Sequence, residues 1–246
     1  MAFRLVVHQE LRSTQDLVRN RALAGEPEGL AVVALRQTAG RGRMGREWVS
    51  PPEKNLALSL LLRPDIPPQQ GPLTGLAASY AAAEALERLG GINAELKWPN
   101  DVIVNGRKIA GILLDARITD GRLDFVVIGL GLNLNSELLD FPSELRDKAT
   151  SAFELTGRRW TSAEAAHVFL EHLEVLYERI GMEGCEFIPP LWKTRWAHRG
   201  TRIRRGDVVG IGEDVAQDGS LILRTDSGDA VIINSGEAEQ VLPEAR

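Results

Sequence analysis

Short apolar runs separated by turn residues dominate the first half of the chain. The runs at 30–35 and 55–62 are almost wholly apolar and too short for buried helices, which predicts two strands buried in a core. The alanine-rich stretch 73–89 has small residues on nearly every face, and this pattern predicts a helix that packs closely against a sheet.

The pattern at the beginning of the chain predicts a strand at 3–7 followed by a helix. Ser13-Thr14-Gln15-Asp16 places a hydroxyl residue three positions before an acid, as in a capping box, so we expect the helix over 14–24 with Gly25 closing it. If the first strand neighbours the strand at 30–35, Ser13 and Thr14 lie close to whatever follows that strand. Their hydroxyl groups then have two possible roles, helix capping and ligand binding.

From 94 to 135 the pattern predicts an antiparallel meander. Asn105-Gly106 between the apolar runs 102–104 and 108–114 is a strong two-residue hairpin signal, and Asp120-Gly121 repeats it before a long run at 123–133. We expect the helices to lie on one side of this sheet. The predicted fold class is α+β, with a mixed, largely antiparallel sheet.

In the last third of the chain, the pattern of apolar and polar residues changes after Arg199-Gly200. The segment 162–181 has helical periodicity, and Trp192 and Trp196 are expected in a following short helix as core residues. Beyond it, short alternating strands with Gly-containing turns predict a small β-barrel. We therefore expect two domains, residues 1–197 and 198–246.

Composition narrows the class of protein. The 246 residues are 43% hydrophobic and carry 34 acidic against 29 basic residues, a net charge of −5, which argues against a binder of long nucleic acid. A single cysteine and the absence of an apolar leader or a spanning run predict a cytoplasmic protein. The four histidines are scattered, so the sequence gives little support for a zinc site.

The segment 37–48 concentrates the basic charge, with three arginines and three glycines in twelve residues. It formally satisfies G-x-G-x-x-G, but a dinucleotide-binding loop must open a helix, and Pro51-Pro52 follow at once. Arginine forks match carboxylates and phosphates, and we expect all three glycines to allow positive φ and close approach of a ligand. The alternative is a solvated surface loop without a ligand.

A second polar stretch is Lys97-Trp98-Pro99-Asn100-Asp101, just before the first hairpin. Pro99 disfavours helix at the residue before it, so the segment is expected to be an extended corner that aims its polar side chains at one ligand. The alternative is an Asx turn that only enters the hairpin. Strand alternation predicts that Lys108 shares a face with Ala110 and Ile112.

These motifs, together with Arg107-Lys108-Ile109-Ala110-Gly111-Ile112-Leu113 and Gly129-Leu130-Gly131-Leu132-Asn133, resemble in this order the motifs of biotin protein ligases. The similarity spans nearly the whole chain. Gln15 and Met44 depart from that family's usual residues. The resemblance implies a catalytic domain like that of class II aminoacyl-tRNA synthetases and biotin ligases, followed by an SH3-like barrel, and a type that lacks an N-terminal DNA-binding domain.

The resemblance also implies a reaction. Such enzymes use ATP and magnesium to form biotinyl-5′-adenylate and then pass biotin to a lysine of a carrier protein or domain of a biotin-dependent carboxylase. We expect no DNA or membrane partner, and a homodimer is possible.

Matched positions imply the site residues. The catalytic residues would be Arg43, Lys108 and Asp101, and Asp101 either holds magnesium or orients Lys108. The biotin-binding residues would be Ser13, Thr14, Gln37, Gly40, Arg41, Lys108, Gly111, Gly129 and Gly131. The ATP-binding residues would be Arg41, Arg43, Trp48, Lys97, Asn100 and Asn133.

Two other functions fit parts of the pattern. One is a lipoate or octanoate ligase or transferase on the same fold, which differs in the acid that it activates. The other is a non-catalytic interaction module in which the arginine-rich segment 37–48, which we call the arginine loop, only holds phosphate.

Overall fold

The computed structural model describes residues 3–241, which form two β-sheets and five α-helices. The strands of the first sheet are β1 (Arg4–Leu11), β2 (Leu30–Gln37), β3 (Leu56–Leu62), β4 (Glu95–Lys97), β5 (Asp101–Val104), β6 (Arg107–Thr119) and β7 (Arg122–Leu132). The helices are α1 (Thr14–Leu23), α2 (Gly71–Gly90), α3 (Ala152–Thr156), α4 (Ser162–Glu183) and α5 (Ile188–Lys193).

The first sheet is mixed and largely antiparallel, as predicted. Its strand order is β1-β2-β3-β7-β6-β5-β4, and only the β1–β2 pair is parallel. Both predicted hairpin turns form, with left-handed φ at Asn105 (50°), Gly106 (74°), Asp120 (51°) and Gly121 (75°). This is the twist that two-residue hairpins require. The meander therefore places β7 between β3 and β6 at the centre of the sheet.

The helices cover both faces of the first sheet, so the prediction of helices on one side only was wrong. Val18 and Ala22 of α1 pack on one face against alternate residues of β2, β3 and β7, whereas α2 and α4 pack on the other. The reason is that every residue of β3 is buried, and a strand that is apolar on both faces needs cover on both. We call the face of the sheet on which α1 packs the α1 face.

Local signals placed most helix ends within a residue or two. The Ser13 side chain accepts a hydrogen bond from the Asp16 backbone N–H at 3.4 Å and caps α1, which ends at Leu23 and not at residue 24. Trp192 and Trp196 are both buried, as predicted, but Trp196 lies beyond the end of α5. It forms an isolated parallel bridge with Leu96 of β4.

The second sheet is antiparallel and is formed by the C-terminal part of the chain. Its strands are β8 (Arg202–Arg205), β9 (Val208–Val215), β10 (Leu221–Arg224), β11 (Ala230–Ile233) and β12 (Glu239–Gln240), in the order β11-β10-β9-β8-β12. Its buried side chains belong to the same hydrophobic cluster as α2 and α4, and the Trp98 indole N–H donates to the Gly219 carbonyl at 2.9 Å. The boundary between residues 197 and 198 stays a prediction, and residues 242–246 of the predicted second domain lie outside the described residues.

Between residues 3 and 241, the helices are too short or too polar to cross a membrane.

Candidate active site

A cavity of about 620 Å³ opens on the α1 face of the first sheet, between the C-terminal end of β2 and the β5–β6 hairpin. Its floor consists of two rows of residues that run across the three central strands and that are small except for Leu113. Ala57, Gly131 and Gly111 pair across one row, and Ser59, Gly129 and Leu113 pair across the next. Residues paired across strands share a face, so the two rows leave the sheet surface over β3 and β7 without bulky side chains.

The Trp48 indole fills part of the space above the first row. A Cβ at Gly131 would lie 2.3 Å from Trp48 Cε2, and one at Gly111 would lie 3.3 Å from Trp48 Cζ3. The ring therefore rests directly on backbone, which only glycine permits. Trp48 Nε1 is buried and has no hydrogen-bond partner within residues 3–241, so this end of the cavity presents an unsatisfied donor.

Four polar side chains form the other end of the cavity, above the second row. The Thr14 backbone N–H donates to Gln37 Oε1 at 2.8 Å, and the Thr14 hydroxyl lies 3.2 Å from the same oxygen. Ser59 Oγ lies 2.9 Å from Thr14 Oγ1 and 3.0 Å from Gln15 Oε1. Thr14, Gln15 and Ser59 are almost fully buried, so this cluster is an internal hydrogen-bonding network and not a wet surface.

Arg43 brings positive charge from the arginine loop to the corner before β5. Its Nη1 donates to Asn100 Oδ1 at 2.9 Å, and Asn100 Nδ2 in turn donates to the Ile112 carbonyl at 2.8 Å. Burial lowers the pKa of Arg43, with Asp101 opposing and Arg46 adding to that effect. A partly desolvated cation of this kind gains from an anionic ligand.

Lys108 forms an ion pair with Asp101, with 2.6 Å between Nζ and Oδ1. Its predicted position on the face of Ala110 and Ile112 was wrong, because those two side chains lie in the large core, whereas Lys108 Cε would lie 2.9 Å from a Cβ at Gly111. A β-bulge in the β5–β6 pair explains the difference, since the register shifts after Lys108 and resets the alternation.

The arginine loop contains no α-helix, only a single 3₁₀ turn at Arg43–Gly45. The prediction that all three glycines use positive φ was wrong, because positive φ occurs at Gly45 (74°) and at Met44 (55°), whereas φ at Gly42 is −106°. Gly40 is required for space: a Cβ there would lie 2.6 Å from the Trp48 carbonyl oxygen.

Each arginine of the loop has a partner on the rest of the protein. Arg41 Nη1 lies 2.7 Å from Asp16 Oδ1 and 3.7 Å from Asp115 Oδ2. Arg46 forms an ion pair with Glu237, which follows the second sheet's fourth strand. These contacts connect the loop to α1, to β6 and to the C-terminal sheet.

The structure brings nearly all the predicted site residues to this one cavity. Those that line it are Ser13, Thr14, Gln37, Arg41, Arg43, Trp48, Lys97, Asn100, Asp101, Lys108, Gly111, Gly129, Gly131 and Asn133. Gly40 lies instead beside a second cavity on the other side of the loop. The buried Asn133 donates through Nδ2 to the Thr150 carbonyl at 3.0 Å, which holds its amide at the cavity wall.

Sequence reasoning missed several residues of the cavity. Gln15 was noted as a departure from the family's usual residue but was not placed among the site residues. Ser59 was assigned only to core, although a lone serine in a run of leucines was a usable signal. Phe141, Leu145 and Ala149 line the wall next to Lys108, because the segment around 149 forms a parallel bridge with Lys108. No local motif marks that segment.

Within residues 3–241 there is no group of three His, Cys, Asp or Glu side chains positioned to hold a metal ion. Asp101 is an acidic side chain of the cavity, and Lys108 contacts one of its oxygens.

Comparison with known proteins gives consistent relatives. Residues 7–133 match the model of the biotin/lipoate A/B protein ligase family. The chain is 38% identical over 232 residues to the bifunctional ligase/repressor BirA of Bacillus subtilis, with 93% of this chain and 71% of that protein covered. It is 32% identical to the biotin–[acetyl-CoA-carboxylase] ligase of Mycobacterium tuberculosis, covering 94% of this chain and 86% of that protein.

Among solved structures, the biotin protein ligase from Aquifex aeolicus in complex with biotin and ATP superimposes with a TM-score of 0.80 at 27% identity. The superposition covers 97% of this chain and 98% of that one.

Proposed function

Because this chain belongs to the biotin/lipoate A/B protein ligase family, we propose that it is an ATP-dependent biotin–protein ligase. It forms biotinyl-5′-AMP from biotin and ATP and transfers the biotinyl group to a lysine of a carrier protein. The observation that carries this proposal is the cavity itself. A buried amide and hydroxyl network at one end and a cationic corner at the other are joined by a floor of glycines.

The network end suits the bicyclic ring of biotin. Thr14 Oγ1 and Ser13 offer oxygens, and Gln37 offers an amide whose carbonyl is already occupied by the Thr14 backbone N–H. This engagement leaves the Gln37 NH₂ group as a donor, so the site presents both acceptors and donors to a cyclic urea. The second row of the floor carries only Ser59 and Gly129 on β3 and β7, which leaves room for the ring and the valeryl chain.

The cationic end suits the reacting groups. A carboxylate oxygen of biotin attacks the α-phosphorus of ATP, and the bond from that phosphorus to the bridging oxygen of pyrophosphate breaks. Negative charge must be offset as the two anions approach, and Arg43 and Lys108 are the cations placed to do so. Asn100 and Asp101 hold the side chains of these two residues in position. Lys97 and Arg41 assist on the phosphates.

The adenosine belongs beside Trp48 and Asn133. The indole offers a flat surface above Gly131, and an aromatic face of this kind stacks on a base. The Asn133 amide lies at the wall beyond it, where it can contact the edge of the base.

Magnesium fits this site as part of a complex with ATP. Protein sites for magnesium commonly supply one or two carboxylates and leave the remaining positions to phosphate oxygens and water. Asp101 can supply one carboxylate oxygen, because Lys108 contacts the other. Bound there, the ion would neutralise phosphate charge.

In the second half-reaction the lysine amine of the carrier attacks the acyl carbon, AMP leaves with the bonding electrons, and the amine loses a proton. The relatives named as acetyl-CoA-carboxylase ligases point to the biotin carrier domain of a carboxylase as the acceptor.

Exchange of labelled pyrophosphate into ATP tests the first half-reaction. Biotin should support exchange, whereas lipoate and octanoate should not. Transfer is then followed by mass spectrometry of a biotin carrier domain, with a Lys→Arg variant of its acceptor lysine as the control. Exchange supported by lipoate or octanoate in place of biotin would move the protein to the other branch of the family. No exchange with any of the acids would favour the non-catalytic module.

Absence of DNA binding is also part of the proposal, although several relatives are named as repressors. It rests on the net charge of −5. A gel-shift titration that showed salt-sensitive, sequence-specific duplex binding at submicromolar concentration would contradict it. A homodimer is tested separately by sedimentation equilibrium.

A further inference from the structure

Ser59 is the only polar residue of β3, and it is 1% exposed. A serine in the middle of a leucine-rich strand loses apolar burial and must find hydrogen bonds inside the protein. Ser59 Oγ finds them at the cavity floor, 2.9 Å from Thr14 Oγ1 and 3.0 Å from Gln15 Oε1. Neither helix capping nor strand pairing requires these contacts.

The oxygen–oxygen contacts around Ser59 outnumber the hydroxyl protons that can serve them. Three short oxygen–oxygen contacts link Gln37 Oε1, Thr14 Oγ1, Ser59 Oγ and Gln15 Oε1 in a chain, but only the two hydroxyl groups carry protons for them. One contact therefore always lacks a proton. Gln37 Oε1 already accepts a hydrogen bond from the Thr14 backbone N–H, so it remains satisfied without a hydroxyl donor.

Gln15 needs the Ser59 proton. Its Nε2 donates to the Val127 carbonyl at 3.0 Å, which fixes which end of the amide is oxygen. Its Oε1 is buried and lies 2.5 Å from where a Cβ at Gly129 would stand, so the amide is clamped over that glycine. Because an unsatisfied buried acceptor is costly, the Ser59 proton is best placed on Gln15 Oε1, and the lone pairs of Thr14 Oγ1 then stay available to a ligand.

We propose that Ser59 is a positioning residue for biotin recognition, acting through Gln15 and Thr14. This inference rests on the proposed function. By satisfying Gln15, the Ser59 hydroxyl leaves Thr14 Oγ1 as the acceptor for a ureido N–H, while the Gln37 NH₂ group donates to the ureido carbonyl. The dithiolane ring of lipoate has neither an N–H nor a carbonyl, so the network also selects against it.

Ser59→Ala tests this role in the full-length protein. We expect the Kd for biotin by calorimetry and the KM for biotin in pyrophosphate exchange to rise about tenfold, as for loss of one buried hydrogen bond. The KM for ATP and kcat should stay within about twofold of wild type. Ser79→Ala is the matched control, because Ser79 is equally buried and its hydroxyl joins the Leu76 carbonyl and the Trp192 indole N–H far from the cavity. It should lower Tm without changing the KM for biotin.

Two further measurements separate positioning from loss of stability. Biotin methylated on the ureido nitrogen that faces Thr14 should bind wild type more weakly than biotin does, and Ser59→Ala should show less of this preference. The single variant Gln15→Met should raise the Kd for biotin. Adding Ser59→Ala to it should raise that Kd little further, because both changes remove the hydrogen bond between Ser59 and Gln15.

An unchanged KM for biotin in Ser59→Ala, an equal rise in the KM for ATP, or fully additive losses in the double variant would overturn the role. If Ser59→Ala does not fold, Gln15→Met and the methylated ligands decide, and wild-type affinity in Gln15→Met would count against it. Failure of wild type to bind biotin at all is a different result, since it refutes the proposed function and not this contact.

Discussion

Gly131 and Gly129 occupy neighbouring rows of the cavity floor, and alanine at each should damage a different substrate site. A Cβ at Gly131 would stand 2.3 Å from Trp48 Cε2, which is 1.1 Å less than the 3.4 Å at which ordinary contact begins. Strand β7 is held between β3 and β6 by continuous pairing, so the backbone cannot yield. The indole must therefore move by about 1 Å or leave the floor.

The expected cost follows from what the indole does. Stacking of a base on an aromatic side chain contributes about 1–3 kcal/mol, and about 1.4 kcal/mol corresponds to a factor of ten in affinity. Gly131→Ala should therefore raise the KM for ATP roughly 5- to 100-fold. The free energy of unfolding should fall by only about 1 kcal/mol, because Trp48 belongs to a loop that can move.

Gly129→Ala is the matched comparison on the same strand and face. Its Cβ would stand 2.5 Å from Gln15 Oε1, so it should raise the KM for biotin and leave the KM for ATP nearly unchanged. Initial rates of pyrophosphate exchange over a matrix of biotin and ATP concentrations give both constants for each variant. An unchanged KM for ATP in Gly131→Ala would refute the assignment of the Gly131 row to ATP and the Gly129 row to biotin. So would a result in which both variants raise the KM for the same substrate.

Further predictions concern charge, pH, stability and loop motion. Arg43→Ala and Lys108→Ala should each lower the single-turnover rate of adenylate formation about 100-fold or more with little change in Tm, and near wild-type rates would remove them from the mechanism. Burial lowers the pKa of His198, so the unfolded chain binds the proton first, and stability should fall as pH drops below about 6.5; urea titrations at pH 7.5 and 5.5 should show a smaller difference in His198→Gln. Gly75→Ala adds a Cβ that meets only ordinary contacts inside α2, and it should raise the free energy of unfolding by about 0.5–1 kcal/mol, whereas any loss in urea unfolding would contradict the helix packing. Trypsin should cut the free protein within loop 40–46, and biotin with ATP should slow that cut markedly; equal rates would mean that the loop does not close over its ligand.

Local patterns in the sequence determined most of the elements. The hairpin turns at Asn105-Gly106 and Asp120-Gly121, the buried strand at 56–62 and the alanine-rich helix α2 each follow from turn chemistry, apolar run length or residue size. The arginine loop and the corner at 97–101 were identified as binding segments from their residue types, because those residues in that order have few uses other than holding an anion.

The tertiary structure decided what these segments face. Pairing of β7 with β3 on one side and β6 on the other placed Ser59 beside Gly129 and made a cavity floor from residues that lie far apart in the chain. The bulge that turns Lys108 toward the cavity depends on the register between two strands, and a one-residue shift reverses the face of every later side chain. The partners Asp16 and Glu237 of the loop arginines come from elements on opposite ends of the sequence. Periodicity describes each segment by itself, whereas a binding site is formed by the contacts between segments.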